Sequence, residues 1–278
     1  MQKILCPIDF SEVSLNALEF AVALGEKEQS EITLLNIFTP ADFNKIVGSD
    51  HVKEQYDELL KMAEAKLNAI AQEVERLSLK KGLLKCSHRL VSGKIVETIA
   101  DMTREEKCDL VVLGTTGHSS YDKKYLGGKA QDIIAHTTCP VLAVPANYSF
   151  HKIEKIVYAT DYQEEDKLAI QQLSALAKVL DAEIEVLHVS THDNTIDKAI
   201  FEEFRNELEH FIDSDRVSIR RVVYKNVATG LDEHMQSTGA DVLVLLDKKL
   251  NFLESLFHTS LIEHLDKFST YPLLILKL

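Results

Sequence analysis

The sequence predicts an α/β protein made of two tandem domains, each a doubly wound parallel sheet of five strands. The first observation is an internal repeat, in which KILCPIDF at 3–10 matches KIVYATDY at 155–162. The second is that short apolar runs alternate with amphipathic stretches of helical spacing in both copies. This alternation is typical of parallel sheets covered by helices on both faces. We therefore expect one domain at 1–147 and another at 151–278.

The two copies differ in length in one place only. In the first two strands the offset is 152 residues, as between ITLLNIF at 32–38 and IEVLHVS at 184–190. In the last two strands the offset is 132 residues, as between CPVLAVP at 139–145 and YPLLILK at 271–277. The second copy should therefore have a shorter connection between its second and third strands.

The elements of the first copy follow from these patterns in chain order. Short runs rich in Val, Ile and Leu indicate buried strands, and apolar residues at helical spacing indicate the helices between them. The predicted strands are KILCPI, ITLLNIF, CSHRLV, DLVVLG and PVLAVP. The predicted helices are Ser14–Glu28, 52 to about 79, Ile95–Glu106 and Gly128–His136.

Composition and charge exclude several classes of function. The net charge is −13 and the basic residues are dispersed, which argues against a nucleic-acid surface. No run of about 18 apolar residues indicates a membrane span. The four cysteines lie far apart and form no Cys-x-x-Cys pair, so we expect reduced, mostly buried thiols and no zinc site. A cytoplasmic protein without a membrane or nucleic-acid partner is the expectation.

Two loops should lie together at the carboxyl edge of the first sheet. Ligands of such sheets bind where the strand order reverses, beyond the ends of the strands. The loops are PIDFS at 7–11 and the stretch 114–130, GTTGHSSYDKKYLGGKA, which holds four of the ten glycines in the chain. Glycine permits close backbone approach to a ligand, and a helix N-terminus favours an anion. The stretch therefore predicts a phosphate cradle, although a surface loop whose glycines only make turns is the alternative. It matches neither the Walker nor the dinucleotide pattern.

The same residues resemble a known family. The universal stress protein family has a first strand that ends in Pro-x-Asp-x-Ser and a loop with Gly-x-x-Gly, nine residues, then Gly-Ser or Gly-Thr. The matching positions here are Pro7, Asp9, Ser11, Gly114, Gly117 and Gly127. The resemblance covers essentially the whole chain, twice. It implies the fold of the adenine nucleotide alpha hydrolases in both copies.

The resemblance also implies a ligand. Members with this loop bind ATP, so the first copy is expected to bind ATP, AMP or ADP, with Mg reached through the phosphates. The adenine would lie beside Asp9, Ile37 and Leu113, and the ribose and phosphates would lie on backbone groups of the glycine-rich stretch. The full set of expected contacts is Pro7, Ile8, Asp9, Ile37, Leu113, Gly114, Gly117, Gly127, Gly128, Lys129 and Ala130.

One position of the first copy departs from the family pattern. Gly128 stands where the family has Ser or Thr, which removes a hydroxyl donor and predicts weaker binding, by about one hydrogen bond. Lys129 beside it could supply charge in compensation, or simply be solvated.

The second copy has lost every glycine of the loop. Leu246 replaces Gly114, Lys249 replaces Gly117, and Thr259 and Ser260 replace the glycine pair. Side chains then fill the space that a phosphate needs, so this copy is predicted to be degenerate. Asp161 nevertheless keeps the place of Asp9. Asp9 therefore either contacts the ligand or caps the following helix.

Three histidines and one aspartate are further candidate ligands. His118, inside the glycine-rich stretch, is interpreted as an exposed loop residue, with phosphate contact as the alternative. His188 and His192 fall on a strand end and the loop after it rather than on one helix face, so no metal site is expected there. Asp122 is interpreted as solvated.

These expectations favour a stress-response regulatory protein that binds one adenine nucleotide and is not an enzyme. The alternatives are a nucleotide-free structural scaffold and a slow ATP hydrolase related in fold to the ATP pyrophosphatases. The two apolar final strands are expected to pair antiparallel as an internal pseudo-dimer, near Val141–Val144 and Leu273–Leu276. Association of two chains into a further homodimer remains an alternative.

Overall fold

The computed structural model resolves two compact units. The first contains the chain up to Thr115 together with Gly128–Ala146, and the second begins at Asn147. Each unit is a parallel sheet with helices packed against it. The residues that the structure describes are 3–38, 52–78, 84–115, 128–212, 215–247 and 270–278.

The first unit alternates strands and helices along the chain. The strands are β1 (Lys3–Pro7), β2 (Glu31–Phe38), β3 (Lys85–Ser92), β4 (Leu110–Thr115) and β5 (Val141–Pro145). They form a sheet in the order β3-β2-β1-β4-β5, and the neighbouring strands run parallel. The helices are α1 (Glu12–Glu28), α2 (Val52–Ser78), α3 (Ile95–Glu105) and α4 (Gly128–His136).

The second unit repeats this arrangement with a shorter middle. The strands are β6 (Lys155–Ala159), β7 (Glu183–Ser190), β8 (Val217–Val223), β9 (Val242–Asp247) and β10 (Leu273–Lys277). The helices are α5 (Glu164–Leu180), α6 (Thr195–Phe211) and α7 (Val227–Thr238). The strand order is β8-β7-β6-β9-β10, again with parallel neighbours. Helix α6 has 17 residues where α2 has 27, which confirms the predicted difference between the copies.

The central strands are buried on both faces. Val111 and Val112 are consecutive in β4, so they point to opposite faces, and both are fully buried. In the second unit the same holds for Leu243 and Val244 of β9. Burial on both faces is the mark of a parallel sheet that is covered by helices. The predicted α/β fold with two tandem units is confirmed.

The cysteines are free and buried, as expected. Cys6 and Cys86 lie in β1 and β3, whereas Cys108 and Cys139 lie just before β4 and β5. Burial raises the pKa of Cys86 to about 12 and that of Cys108 to about 11, so both thiols are protonated at neutral pH. Among the helices described, none is long and apolar enough to cross a bilayer.

The strand order of the first unit reverses between β1 and β4. From β1 the chain passes to β2 on one side, and it later returns from β3 to β4 on the other. Helices that start from this reversal leave a crevice at the carboxyl ends of the two strands. The corresponding place in the second unit lies between β6 and β9.

Candidate functional site

An exposed carboxylate stands at the end of β1. Oδ1 of Asp9 accepts hydrogen bonds from the backbone N of Ser11 at 3.0 Å and from its Oγ at 2.5 Å. Partial burial would raise the pKa of Asp9, but the hydrogen bonds from Ser11 outweigh it, and the pKa lies below its usual range. The carboxylate is therefore ionised at neutral pH and held in one position.

Ser11, and not Asp9, caps the following helix. Oγ of Ser11 accepts from the backbone N of Ser14 at 3.2 Å, and α1 begins at Glu12, two residues earlier than the sequence predicted. The interpretation of Asp9 as a helix cap is therefore wrong. Phe10 between them has a φ of 63°, in the left-handed region, and this reverses the chain so that Asp9 faces Ser11.

The apolar residues predicted beside Asp9 lie at two depths. Ile8 and Leu113 are buried, with exposures of 2% and 4%, whereas Pro7 and Ile37 are half-buried. The backbone N of Ile8 donates to the carbonyl oxygen of Leu35 at 2.8 Å. The accessible surface at this edge therefore comes from Pro7, Asp9 and Ile37, with the other two side chains beneath it.

Gly114 has a packing role that the sequence did not predict, because α1 lies directly against it. A Cβ built on Gly114 would lie 2.6 Å from the backbone oxygen of Val13 and 2.8 Å from its carbonyl carbon. Real Cβ atoms do not approach backbone atoms this closely, so the first turn of α1 can sit against β4 only because this position has no side chain. Helix packing alone is therefore a sufficient reason for glycine here.

The N-terminus of α4 is exposed. Gly128 is the first residue of the helix, and a Cβ built on it would meet no atom of the described residues within 4 Å. Lys129 is exposed, whereas Ala130 is buried against the unit. Because α4 follows β4 and leads to the parallel strand β5, its N-terminus lies at the same edge as Asp9. Gly117, Gly127, His118 and Asp122 lie outside the described residues.

In the second unit, different side chains fix the loop that follows the first strand, β6. The buried Asp166 of α5 accepts from the hydroxyl of Tyr158 at 2.8 Å and from Oγ1 of Thr160 at 2.6 Å. Its equivalent in the first unit is Ser14. At the position of Gly114 stands Leu246, which is buried in β9. Lys249, Thr259 and Ser260 lie outside the described residues.

In both copies a side chain of the second strand contacts a backbone carbonyl oxygen at the end of the first strand, which the sequence did not predict. Nδ2 of Asn36 donates to the carbonyl oxygen of Ile8 at 2.7 Å, and Nδ1 of the equivalent His188 lies 2.9 Å from the carbonyl oxygen of Thr160. His188 also stacks on Tyr162 at 3.9 Å between ring centroids. Burial lowers the pKa of His188, so the ring is neutral at neutral pH. The sequence signal for this shared contact is that Asn36 and His188 occupy equivalent positions in the two copies of the repeat.

Two matches decide the family. The sequence model of the universal stress protein family matches residues 1–145 and again residues 152–277. The chain belongs to the universal stress protein family. It carries two copies of the family's domain in tandem, as the internal repeat predicted.

Similar proteins match one copy or both. A universal stress protein of Methanocaldococcus jannaschii is 28% identical over 150 residues, which is 51% of this chain and 81% of that protein. One from Synechocystis is 30% identical over 153 residues, 51% of this chain and 96% of the relative. The solved universal stress protein of Archaeoglobus fulgidus covers 99% of this chain and 98% of its own, with a TM-score of 0.71 at 19% identity, which shows the shared fold. Another solved universal stress protein, 22% identical over 51% of this chain with a TM-score of 0.38, is in complex with cAMP.

Proposed function

We propose that this chain is a stress-response regulatory protein whose first unit binds one adenine nucleotide, ATP or AMP. The observation that carries the proposal is the pairing of two groups at one edge of the sheet. These groups are the fixed, ionised carboxylate of Asp9 and the exposed N-terminus of α4 at Gly128. They stand on either side of the reversal of strand order, where ligands of doubly wound sheets bind.

The two groups suit the two ends of a nucleotide. A carboxylate accepts hydrogen bonds from the amino group of adenine or from ribose hydroxyls. The backbone N–H groups and the positive dipole end at the start of α4 attract phosphate. Mg²⁺, in this proposal, is bound through the phosphates. The half-buried Pro7 and Ile37 provide apolar surface for the base.

The second unit serves as a built-in partner rather than as a second site. Its counterpart of Gly114 is a buried leucine, and its loop after β6 is held by Asp166 instead of by a serine and an exposed aspartate. Internal dimerisation through the final strands stays a prediction, as does a cytoplasmic location.

Mass spectrometry of the purified, denatured protein is the test that separates the three functions. Copurified ATP or AMP supports the regulatory binding protein. A protein that is empty as purified and does not bind added ATP at about 1 mM would be the nucleotide-free scaffold. Steady phosphate release above about 1 s⁻¹ would instead make it an ATP hydrolase.

A further inference from the structure

The loop that carries Asp9 starts where the pairing of β1 with β2 ends. The register of the two strands runs to Pro7 opposite Leu35, and the backbone N of Ile8 still donates to the carbonyl oxygen of Leu35 at 2.8 Å. The carbonyl oxygen of Ile8 accepts instead from a side chain, since Nδ2 of Asn36 donates to it at 2.7 Å. Asn36 therefore extends the hold of β2 on the chain by one backbone group beyond the strand.

This bond fixes the backbone directly before Asp9. The carbonyl group of Ile8 and the N–H group of Asp9 belong to one planar peptide unit, so holding the first sets the direction of the second. Beyond Asp9 the chain turns through Phe10, whose φ of 63° lies in the left-handed region. The carboxylate itself is held by Ser11. Asp9 is thus held on both sides, its main chain through Ile8 and its side chain through Ser11.

The charge of Asp9 depends on the same peptide unit. Partial burial would raise the pKa of Asp9, whereas the hydroxyl and backbone N–H of Ser11, the hydroxyl of Ser14 and the N–H of Asp9 itself lower it, and the resulting pKa lies below the ordinary 3.8. The direction of the Asp9 N–H follows from the peptide unit that Asn36 holds through Ile8. Rotation of this unit would therefore remove one of the groups that stabilise the ionised carboxylate.

The second copy keeps the bond but changes the residue. Nδ1 of His188 lies 2.9 Å from the carbonyl oxygen of Thr160, and the backbone N of Thr160 donates to the carbonyl oxygen of Leu187 at 3.0 Å. Tyr162 then turns with a φ of 65°, as Phe10 does in the first copy. A carbonyl oxygen can only accept, so Nδ1 of His188 carries the proton. An amide and an imidazole thus donate to the same carbonyl group, which indicates that the position needs a side-chain N–H rather than asparagine itself.

We propose that Asn36 is a positioning residue of the nucleotide site in the first unit. It does not touch the nucleotide but holds the peptide unit between Ile8 and Asp9, and through it keeps the Asp9 carboxylate where adenine or ribose is bound. The inference rests on the proposed function, because only the first unit is expected to bind a nucleotide. In the second unit the equivalent bond of His188 supports the loop alone, so that unit provides an internal control.

The test compares the same lost bond in the two units. Asn36→Leu removes the donor at similar side-chain size, and His188→Leu removes the equivalent bond in the second unit. Calorimetric titration of the full chain with ATP should show binding weakened roughly fivefold in the first variant and unchanged in the second. Asn36→His should bind ATP within about twofold of wild type, because the imidazole can donate as it does in the second unit. Should Asn36→Leu not fold, Asn36→Ala and His188→Ala provide the same comparison.

An NMR titration of Asp9 gives a second readout, which a general loss of stability would not move. The pKa of Asp9 should rise toward 3.8 in Asn36→Leu and stay lowered in Asn36→His. Equal ATP affinity or an equal pKa of Asp9 in wild type and Asn36→Leu would overturn the role of Asn36 and leave the proposed function standing. So would equal losses of affinity in Asn36→Leu and His188→Leu. A wild-type protein that binds no ATP at about 1 mM would overturn the proposed function, and this role with it.

Discussion

The backbone oxygen of Val13 lies where the side chain of residue 114 would begin, 2.6 Å from a Cβ built on Gly114. Gly114→Ala should therefore lower the free energy of unfolding by about 1–3 kcal/mol, because helix α1 must move away from β4. Gly128→Ala is the control, since its Cβ would meet no atom within 4 Å in the part of the chain that the structure describes. Chemical denaturation should show the control unchanged or more stable by up to about 1 kcal/mol. Equal stability of the two variants would refute the packing role.

Gly128→Ser restores the hydroxyl that the family has at this position. Gly128 is exposed at the start of α4, and no atom of the described residues lies within 4 Å of a Cβ built there, so we expect the new hydroxyl to reach a phosphate. ATP should bind more tightly by about 1 kcal/mol, or roughly fivefold, in isothermal titration calorimetry. Weaker binding in the variant would mean that the phosphates do not lie at this helix N-terminus.

Ser11→Ala should affect both folding and binding. The variant loses the N-cap of α1 and the hydroxyl bond to Asp9, and only the bond from the backbone N of residue 11 still holds the carboxylate. The free energy of unfolding should therefore fall by about 1 kcal/mol, and ATP should bind more weakly. Asn226→Ala is the matched control, because Oδ1 of Asn226 caps α7 by accepting from Thr229 N at 2.8 Å. It should lose similar stability but keep its ATP affinity. If both variants bound ATP equally weakly, the loss of affinity would result from lower stability and not from the lost bond to Asp9.

His151 should make the stability of the second unit depend on pH. Its Nε2 lies 2.7 Å from Oδ1 of Asp241 and its Nδ1 lies 3.3 Å from the oxygen of Ser149, so both ring nitrogens face acceptors and the charged ring satisfies both. The hydrogen bond to Asp241 raises the pKa of His151, with the charge of Glu154 adding to it, while the hydroxyl of Tyr148 also contacts the ring.

A raised pKa stabilises the folded state at low pH. The contribution of His151 is fully present below its ordinary pKa of 6.5 and is lost as the pH rises through the higher folded value. The difference in unfolding free energy between wild type and His151→Gln should therefore shrink as the pH rises above about 6.5. An NMR titration that gives His151 a pKa at or below 6.5 would contradict this assignment.

The sequence predicted the elements better than it predicted the contacts between them. The hydrophobic patterns placed α4 at its observed bounds and Ser14–Glu28 within α1, because periodicity and burial act locally. The roles of Ser11 and Gly114 depend on how a helix start meets a strand far along the chain. Spacing alone therefore could not assign them.

The second unit shows the same limit more clearly. Glu185 and His234 are both buried, and their side chains lie 2.9 Å apart between β7 and α7. Burial would raise the pKa of Glu185, but His234, Lys155 and Arg220 together hold it below its usual range. The equivalents in the first copy are Thr33 and Met102, so the buried Glu185–His234 hydrogen bond has no counterpart there. A pairing across 49 residues has no signature in the local pattern of one sequence.

The number of nucleotides bound per chain tests the central claim most directly. Isothermal titration calorimetry with ATP should give one site per chain, and Asp9→Ala should weaken it by at least about tenfold, as expected for loss of a charged hydrogen-bond partner. Asp161→Ala, the equivalent change in the second unit, should leave both stoichiometry and affinity unaltered. Gly117→Val should abolish binding. A stoichiometry of two, or a site that survives Asp9→Ala and is lost in Asp161→Ala, would contradict the assignment of the nucleotide to the first unit.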